Sequence, residues 1–310
     1  MNESLSVPGP TVASGPFFFL NRISGRLVVI ILLALFLVSC ATPSFFLSGG
    51  EKAERVAKEA GWRRQWLRTA DFTIAAYHNG LRGSSKILTV YLEGDGRPWI
   101  RLDRISSDPT PPAPIVLSMA VRDPSPKVLY LARPCQYRGG IKEPGCNPIY
   151  WTSNRYGEKV IASMNQALDQ AKALAGVERL FLIGYSGGGS LAVLLAARRD
   201  DVAGILTVAA NLDHAAWTAY YGDSPLSGSL NAVDAVAKVR SIPQVHLWGD
   251  ADDVVPLRVI ENYTDRLVGS GKSRLKVIPG FGHECCWAEE WPKILNEAKS
   301  LFGDSLPEGL

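Results

Sequence analysis

Short apolar stretches alternate with longer segments of helical periodicity over most of the chain. "FTIAAYH", "ILTVYLEG" and "VLYLARP" read as strands from their Val, Ile, Thr and Tyr content. Between Tyr156 and Ala175, the apolar positions Val160, Ile161, Met164 and Leu168 fall mostly three or four apart, which predicts a helix. The second half continues the alternation. It reads as strand "RLFLIGY", helix "SLAVLLAARR", strand "GILTVAAN", a long irregular insert over about 211–239, and strand "QVHLWGD". Helix "LRVIENYTDRLV", strand "RLKVIPG" and a last helix around "WPKILNEAKSLF" complete the chain. Short apolar strands separated by helices predict an α/β fold with a mostly parallel sheet covered on both faces. A charged helical pattern from Ser48 to Ala60 precedes the first strand, and the Pro-rich "DPTPPAP" interrupts the early strands. With no internal repeat and no linker, 71–310 is expected to form one domain.

The N-terminus breaks this pattern. Arg22 and Arg26 precede an uninterrupted apolar run, Leu27–Val38, too short to span a bilayer comfortably as a helix. Basic residues before a short apolar core are the pattern of a signal peptide. The run ends in Leu37-Val38-Ser39-Cys40, which resembles the bacterial lipobox. That resemblance implies cleavage before Cys40, acylation of its thiol, and anchoring by lipid without a membrane-spanning segment. Residues 1–39 are then a lipoprotein signal peptide and 40–70 a tether and helix. Ala41 follows the cysteine where an Asp would be an inner-membrane signal. By analogy with Gram-negative sorting, an exported protein on the periplasmic face of the outer membrane is expected.

Composition adds bounds rather than a function. The chain has 310 residues and a net charge of +3, with scattered Lys and Arg, so nothing points to nucleic acid. Four cysteines remain beyond Cys40, and an exported protein permits disulfides. Cys135 and Cys146 would close the Gly/Pro-rich loop "CQYRGGIKEPGC". Cys285 and Cys286 fit either a vicinal pair or buried thiols. No metal or cofactor is expected, and the chain is expected to be a monomer.

The segment "LFLIGYSGGGSLAVL" runs from strand into helix through a serine among glycines. Gly184-Tyr185-Ser186-Gly187-Gly188 matches G-x-S-x-G, a turn that exposes a nucleophilic serine above the carboxyl end of a strand. Gly187-Gly188-Gly189-Ser190-Leu191-Ala192 equally matches a phosphate loop, with Asp213 at about the expected interval. A third reading is that the glycines only let helix and strand pack closely. Two later segments separate these readings. "WGDADDVVP" places Asp252 after a strand, and "PGFGHECC" places His283 after the next. Open α/β sheets put their sites at such carboxyl ends. Asp250 and Asp253 compete with Asp252 for the acid. His78 and His246 lie in strand patterns and read as structural.

With Ser186, Asp252 and His283 in that order, the chain from Asp71 to Phe302 resembles an α/β-hydrolase. The resemblance implies a Ser-His-Asp triad acting on a small-molecule or lipid-like ester, with a peptidase or thioesterase as alternatives. A non-catalytic binding lipoprotein on the same fold is a further alternative. It also implies an oxyanion hole made by the Gly187 N–H and a second N–H from "YLEGDGRPW", either Asp95 or Gly96. Many esterases carry His-Gly-Gly-Gly there, whereas this chain has Glu93-Gly94-Asp95-Gly96. A carboxylate facing an oxyanion is unfavourable, so Asp95 is expected to turn outward, toward Arg97. The insert, with Trp217, Tyr220 and Tyr221, is expected to act as a lid, and His214, Trp217 and Tyr185 to line the substrate pocket.

Overall fold

The computed structural model describes residues 47–305; the signal segment and Cys40 lie outside them. The strands are β1 (Arg63–Arg68), β2 (Thr73–His78), β3 (Ile87–Leu92), β4 (Trp99–Arg101), β5 (Arg104–Ile105), β6 (Val128–Leu131), β7 (Arg179–Tyr185), β8 (Val202–Val208), β9 (Gln244–Gly249) and β10 (Ser273–Ile278). Eight of them form one sheet in the order β1-β2-β6-β3-β7-β8-β9-β10, while β4 and β5 form a separate hairpin. From β6 to β10 every pairing is parallel; β2 runs antiparallel to both β1 and β6. After β3 the chain adds β6 on one side and β7 on the other. Strand order therefore reverses at β3/β7, and a crevice opens there at the carboxyl ends.

The centre of the sheet is apolar on both faces because both are covered. All six β3 residues are buried. Leu88, Val90 and Leu92 face one apolar layer, and Ile87 and Tyr91 the other. The first layer includes Val160, Ile161, Met164 and Leu168 of the long helix Glu158–Ala175. The second includes Trp291, Ile294, Leu295 and Ala298 of the helix Trp291–Phe302. At the N-terminal end, helix Gly49–Glu59 is closed by a capping box between Ser48 and Glu51, and it buries Ala53 and Ala57.

The structure adds elements that the hydrophobic pattern did not announce. β1 reads "RRQWLR" and buries only Leu67, as an edge strand can, since it needs no continuous apolar face. The insert is partly helical rather than irregular, with helices His214–Tyr221 and Val236–Val239. Cys135 and Cys146 are disulfide-bonded with Cα atoms 5.7 Å apart. On a chain-entropy model that link contributes roughly 3 kcal/mol. Cys285 and Cys286 also lie together as a vicinal pair, the first of the two alternatives above.

Candidate active site

β7 ends at Tyr185 and a helix begins at Gly187, so Ser186 alone carries the reversal. Its backbone sits at φ 52°, ψ −122°. Such a conformation costs on the order of 1–3 kcal/mol and persists only where its surroundings hold it. Here the Ser186 N–H donates to the Val208 carbonyl at 2.9 Å, and the Ser186 carbonyl accepts from the Gly189 N–H at 3.0 Å and the Asn211 N–H at 3.3 Å. The glycines are steric requirements of the turn. A Cβ on Gly184 would strike the Gly188 backbone, and one on Gly188 would strike the Leu92 carbonyl.

This packing argues against a phosphate loop. Gly188 and Gly189 are packed against the fold rather than open to a ligand, since a Cβ on Gly188 would strike the Leu92 carbonyl and one on Gly189 the Ala210 side chain. Asp213 caps the helix His214–Tyr221, accepting from the Ala216 N–H, and also accepts from Asn231 and Asn262.

Three strand ends converge on the serine. His283 Nε2 lies 3.0 Å from Ser186 Oγ. His283 Nδ1 lies 3.0 and 3.1 Å from the two Asp252 oxygens. The Asp252 side chain is 0% exposed and accepts from the Val254 and Val255 N–H groups at 2.9 and 2.8 Å. Those donors hold the carboxylate in place. Of the competing acids, Asp250 accepts from the Gly280 N–H in a turn and Asp253 is exposed. The Tyr185 hydroxyl donates to the His283 carbonyl at 2.8 Å, steadying the histidine loop.

A cavity of about 260 Å³ opens over this group. The Glu93–Gly96 loop and Pro111 to Ala113 of the Pro-rich segment wall it on one side, and Trp217 and Val254 on the other. The Gly187 N–H begins a helix and so lacks an intrahelical acceptor. Neither the Asp95 nor the Gly96 N–H has an acceptor among the described residues. Trp217 donates its indole N–H to the Val254 carbonyl at 2.8 Å, tying the insert to the loop that carries the acid.

No protein-family model matches the sequence, and no curated protein matches it. Solved structures do. An esterase from Pyrococcus furiosus superposes with a TM-score of 0.57 at 14% identity, over 79% of this chain and 92% of that one. A candidate dienelactone hydrolase from Klebsiella pneumoniae gives 0.55 at 17% identity, over 78% and 97%. A candidate lipase from Acinetobacter baumannii gives 0.54 at 11% identity, over 85% and 100%. The chain has the α/β-hydrolase fold.

Within the α/β-hydrolase frame, two expectations are corrected. Asp95 does not turn outward to Arg97. Its carboxylate pairs with Arg133 and Arg155, and the Tyr156 hydroxyl donates to it at 3.1 Å. Both guanidinium groups are nearly buried, at 4% and 6% exposure, and need a carboxylate more than solvent does. Burial alone would raise the Asp95 pKa, but Arg155 and Arg133 outweigh it and hold the group at about 2. His214 is the second correction. It lies outside the cavity that holds Ser186, is buried, stacks on Tyr156 at 6.0 Å and borders a separate cavity. The cap at Asp213 starts its helix there and directs the ring back into the fold. Arg133, Arg155 and Tyr156 carried no local motif; the one hint was the position of Arg133 just past the end of β6.

Glu93 also borders the cavity, and it is 3% exposed. It accepts from the Tyr130 hydroxyl at 2.7 Å and from the Gly94 N–H at 2.9 Å. Burial pushes its pKa from 4.5 up to about 7, against the opposing pull of those donors and Arg133. Between these values the folded protein keeps a proton that the unfolded chain has released. Stability therefore falls as pH rises through that window, by on the order of 3 kcal/mol. Glu93→Gln is expected to remove this loss. Urea midpoints of variant and wild type should agree near pH 4 and diverge in the variant's favour by about pH 8. Parallel midpoints across the range would contradict the assignment. Buried His246, held at about 3, titrates alike in both proteins and cancels from the difference.

Proposed function

We propose that this protein is a serine hydrolase that cleaves carboxylic esters through an acyl-enzyme. The observation that carries the reading is the continuous line from Asp252 through His283 to Ser186 Oγ, with both contacts at 3.0 Å. Ester cleavage needs a nucleophile, a base and an oxyanion site, and each has a candidate here. His283 Nε2 takes the Ser186 proton as Oγ attacks the carbonyl carbon. Asp252 accepts from Nδ1–H, fixes the tautomer and stabilises the imidazolium. The Gly187 N–H and the Asp95 N–H, with Gly96 as the other donor the loop offers, face the developing oxyanion. The imidazolium then gives its proton to the departing alkoxide, and water enters by the same route to release the acid. Binding by remote parts of the substrate is left to the cavity walls, Trp217 and Tyr185 among them.

The names of the structural neighbours, esterase and candidate lipase, agree with this reading. The acidic Glu93–Gly96 loop is no argument for a non-catalytic binding protein, because the Asp95 charge is neutralised by two arginines. Turnover of p-nitrophenyl esters, matched thioesters and peptide amides by the purified chain tests the reaction class. Hydrolysis of the esters ahead of the amides is expected, and amide cleavage without ester cleavage would overturn the assignment.

The lipid anchor at Cys40 is proposed from the apolar run Leu27–Val38 and the Leu37-Val38-Ser39-Cys40 that ends it. Intact mass of the membrane-extracted protein is expected to show a chain starting at an acylated Cys40. An unmodified Cys40 would refute it.

A further inference from the structure

Beside the catalytic cavity lies a larger cleft of about 760 Å³. The two share Pro98, Arg155 and Trp217 as lining residues, so they adjoin. One wall of the cleft is the β4–β5 hairpin, which presents Trp99, Ile100 and Leu102. The other is the insert, which presents Trp217, Pro225 and Leu226. The catalytic cavity, at about 260 Å³, falls below the usual size of a site that encloses a whole ligand. It has room for the reacting ester group and leaves the rest of a substrate to its surroundings.

The hairpin has a composition that its own stability does not explain. Leu102 at its tip is fully exposed, and Trp99 and Ile105 are 41% and 40% exposed. A two-stranded hairpin gains little by holding large apolar side chains in water, and apolar surface gathered at one site marks binding. The lining is mainly apolar, and of its charged residues Arg101 is exposed on the hairpin. Arg155 is held by Asp95 and is also close enough to Asp223 to feel its charge.

We propose that this cleft binds a long aliphatic chain carried by the ester, with the β4–β5 hairpin and the insert as its two walls. The proposal rests on the ester-hydrolase reading and names the substrate class for that same site. Each methylene withdrawn from water strengthens binding roughly fourfold, so chain length is the sensitive variable.

The test uses esters kept below the concentrations at which they aggregate. One series varies the acyl chain, from p-nitrophenyl acetate to p-nitrophenyl octanoate. A second varies the alkyl alcohol of acetate esters. In the wild type, kcat/KM is expected to rise at least about tenfold along one series, which also says which side of the ester the cleft holds. Trp99→Ala and Leu102→Asp change exposed residues and should keep the wild-type circular dichroism. Each is expected to lose about tenfold on the long ester while staying within about twofold on p-nitrophenyl acetate. Flat profiles in both series, or equal losses on short and long esters, would overturn the cleft and leave the hydrolase reading standing. No turnover of p-nitrophenyl acetate by the wild type would overturn the hydrolase reading and this proposal with it.

Discussion

Replacing Ser186 with alanine is expected to lower kcat for ester hydrolysis by roughly 10⁴- to 10⁶-fold. The loss should fall on kcat with little change in KM, because the Oγ contributes to bond making rather than to binding the ester. The fold should survive. Ser186 Oγ makes its hydrogen bond to His283, whereas the sharp turn is held by backbone contacts to Val208, Gly189 and Asn211. His283→Ala is expected to cost about as much, and the double variant little more than either single one, since the two groups act as a unit. Circular dichroism with single-turnover kinetics on p-nitrophenyl butyrate checks this. Retention of more than about a tenth of wild-type kcat in Ser186→Ala would remove the serine from the mechanism.

Asp95→Asn is expected to be the most damaging change outside Ser186, His283 and Asp252. It leaves Arg133 and Arg155, both nearly buried, without their shared countercharge. Breaking a buried ion cluster from one side typically costs about 3–5 kcal/mol. The effect should reach catalysis, because the Asp95 side chain packs against Gly187 and its own N–H is a candidate oxyanion donor. Loss of one such donor lowers kcat by about 10²- to 10³-fold. The double variant Asp95→Asn/Arg155→Gln removes one charge of each sign and is expected to recover part of the stability, read from urea unfolding. No recovery would mean that Asp95 matters through packing alone. The same cluster sets an acid limit. Asp95 is held below its ordinary 3.8, so its stabilisation is complete above that value and is lost as pH falls through about 2.

Legibility differed between the reacting residues and their supports, for a physical reason. Ser186, Asp252 and His283 each sit within a few residues of a strand end, in segments whose glycines and turn residues are visible locally. Parallel topology then brings strand ends together, so chain order was enough to anticipate that the three would meet. Asp95, Arg133, Arg155 and Tyr156 meet through the folding of two loops and a helix entry, and no spacing rule connects them. The direction of Asp95 was misread for the same reason, because its partners are distant in sequence and only Arg97 was near. His214 was misplaced because a histidine after a strand looks alike whether its helix cap turns it into the cavity or away. Strand β1 and the β4–β5 hairpin escaped notice because an edge strand and an exposed hairpin lack the buried face on which periodicity depends.

The most direct measurement is covalent labelling with a fluorophosphonate, followed by mass spectrometry of the digested protein. A nucleophilic serine displaces fluoride from phosphorus, so the adduct marks the activated hydroxyl itself. The expected result is one phosphonylated peptide, with the label on Ser186, which disappears in both Ser186→Ala and His283→Ala. An unlabelled Ser186 in a folded wild-type protein, or a label that persists in His283→Ala at the wild-type rate, would contradict a serine activated by His283.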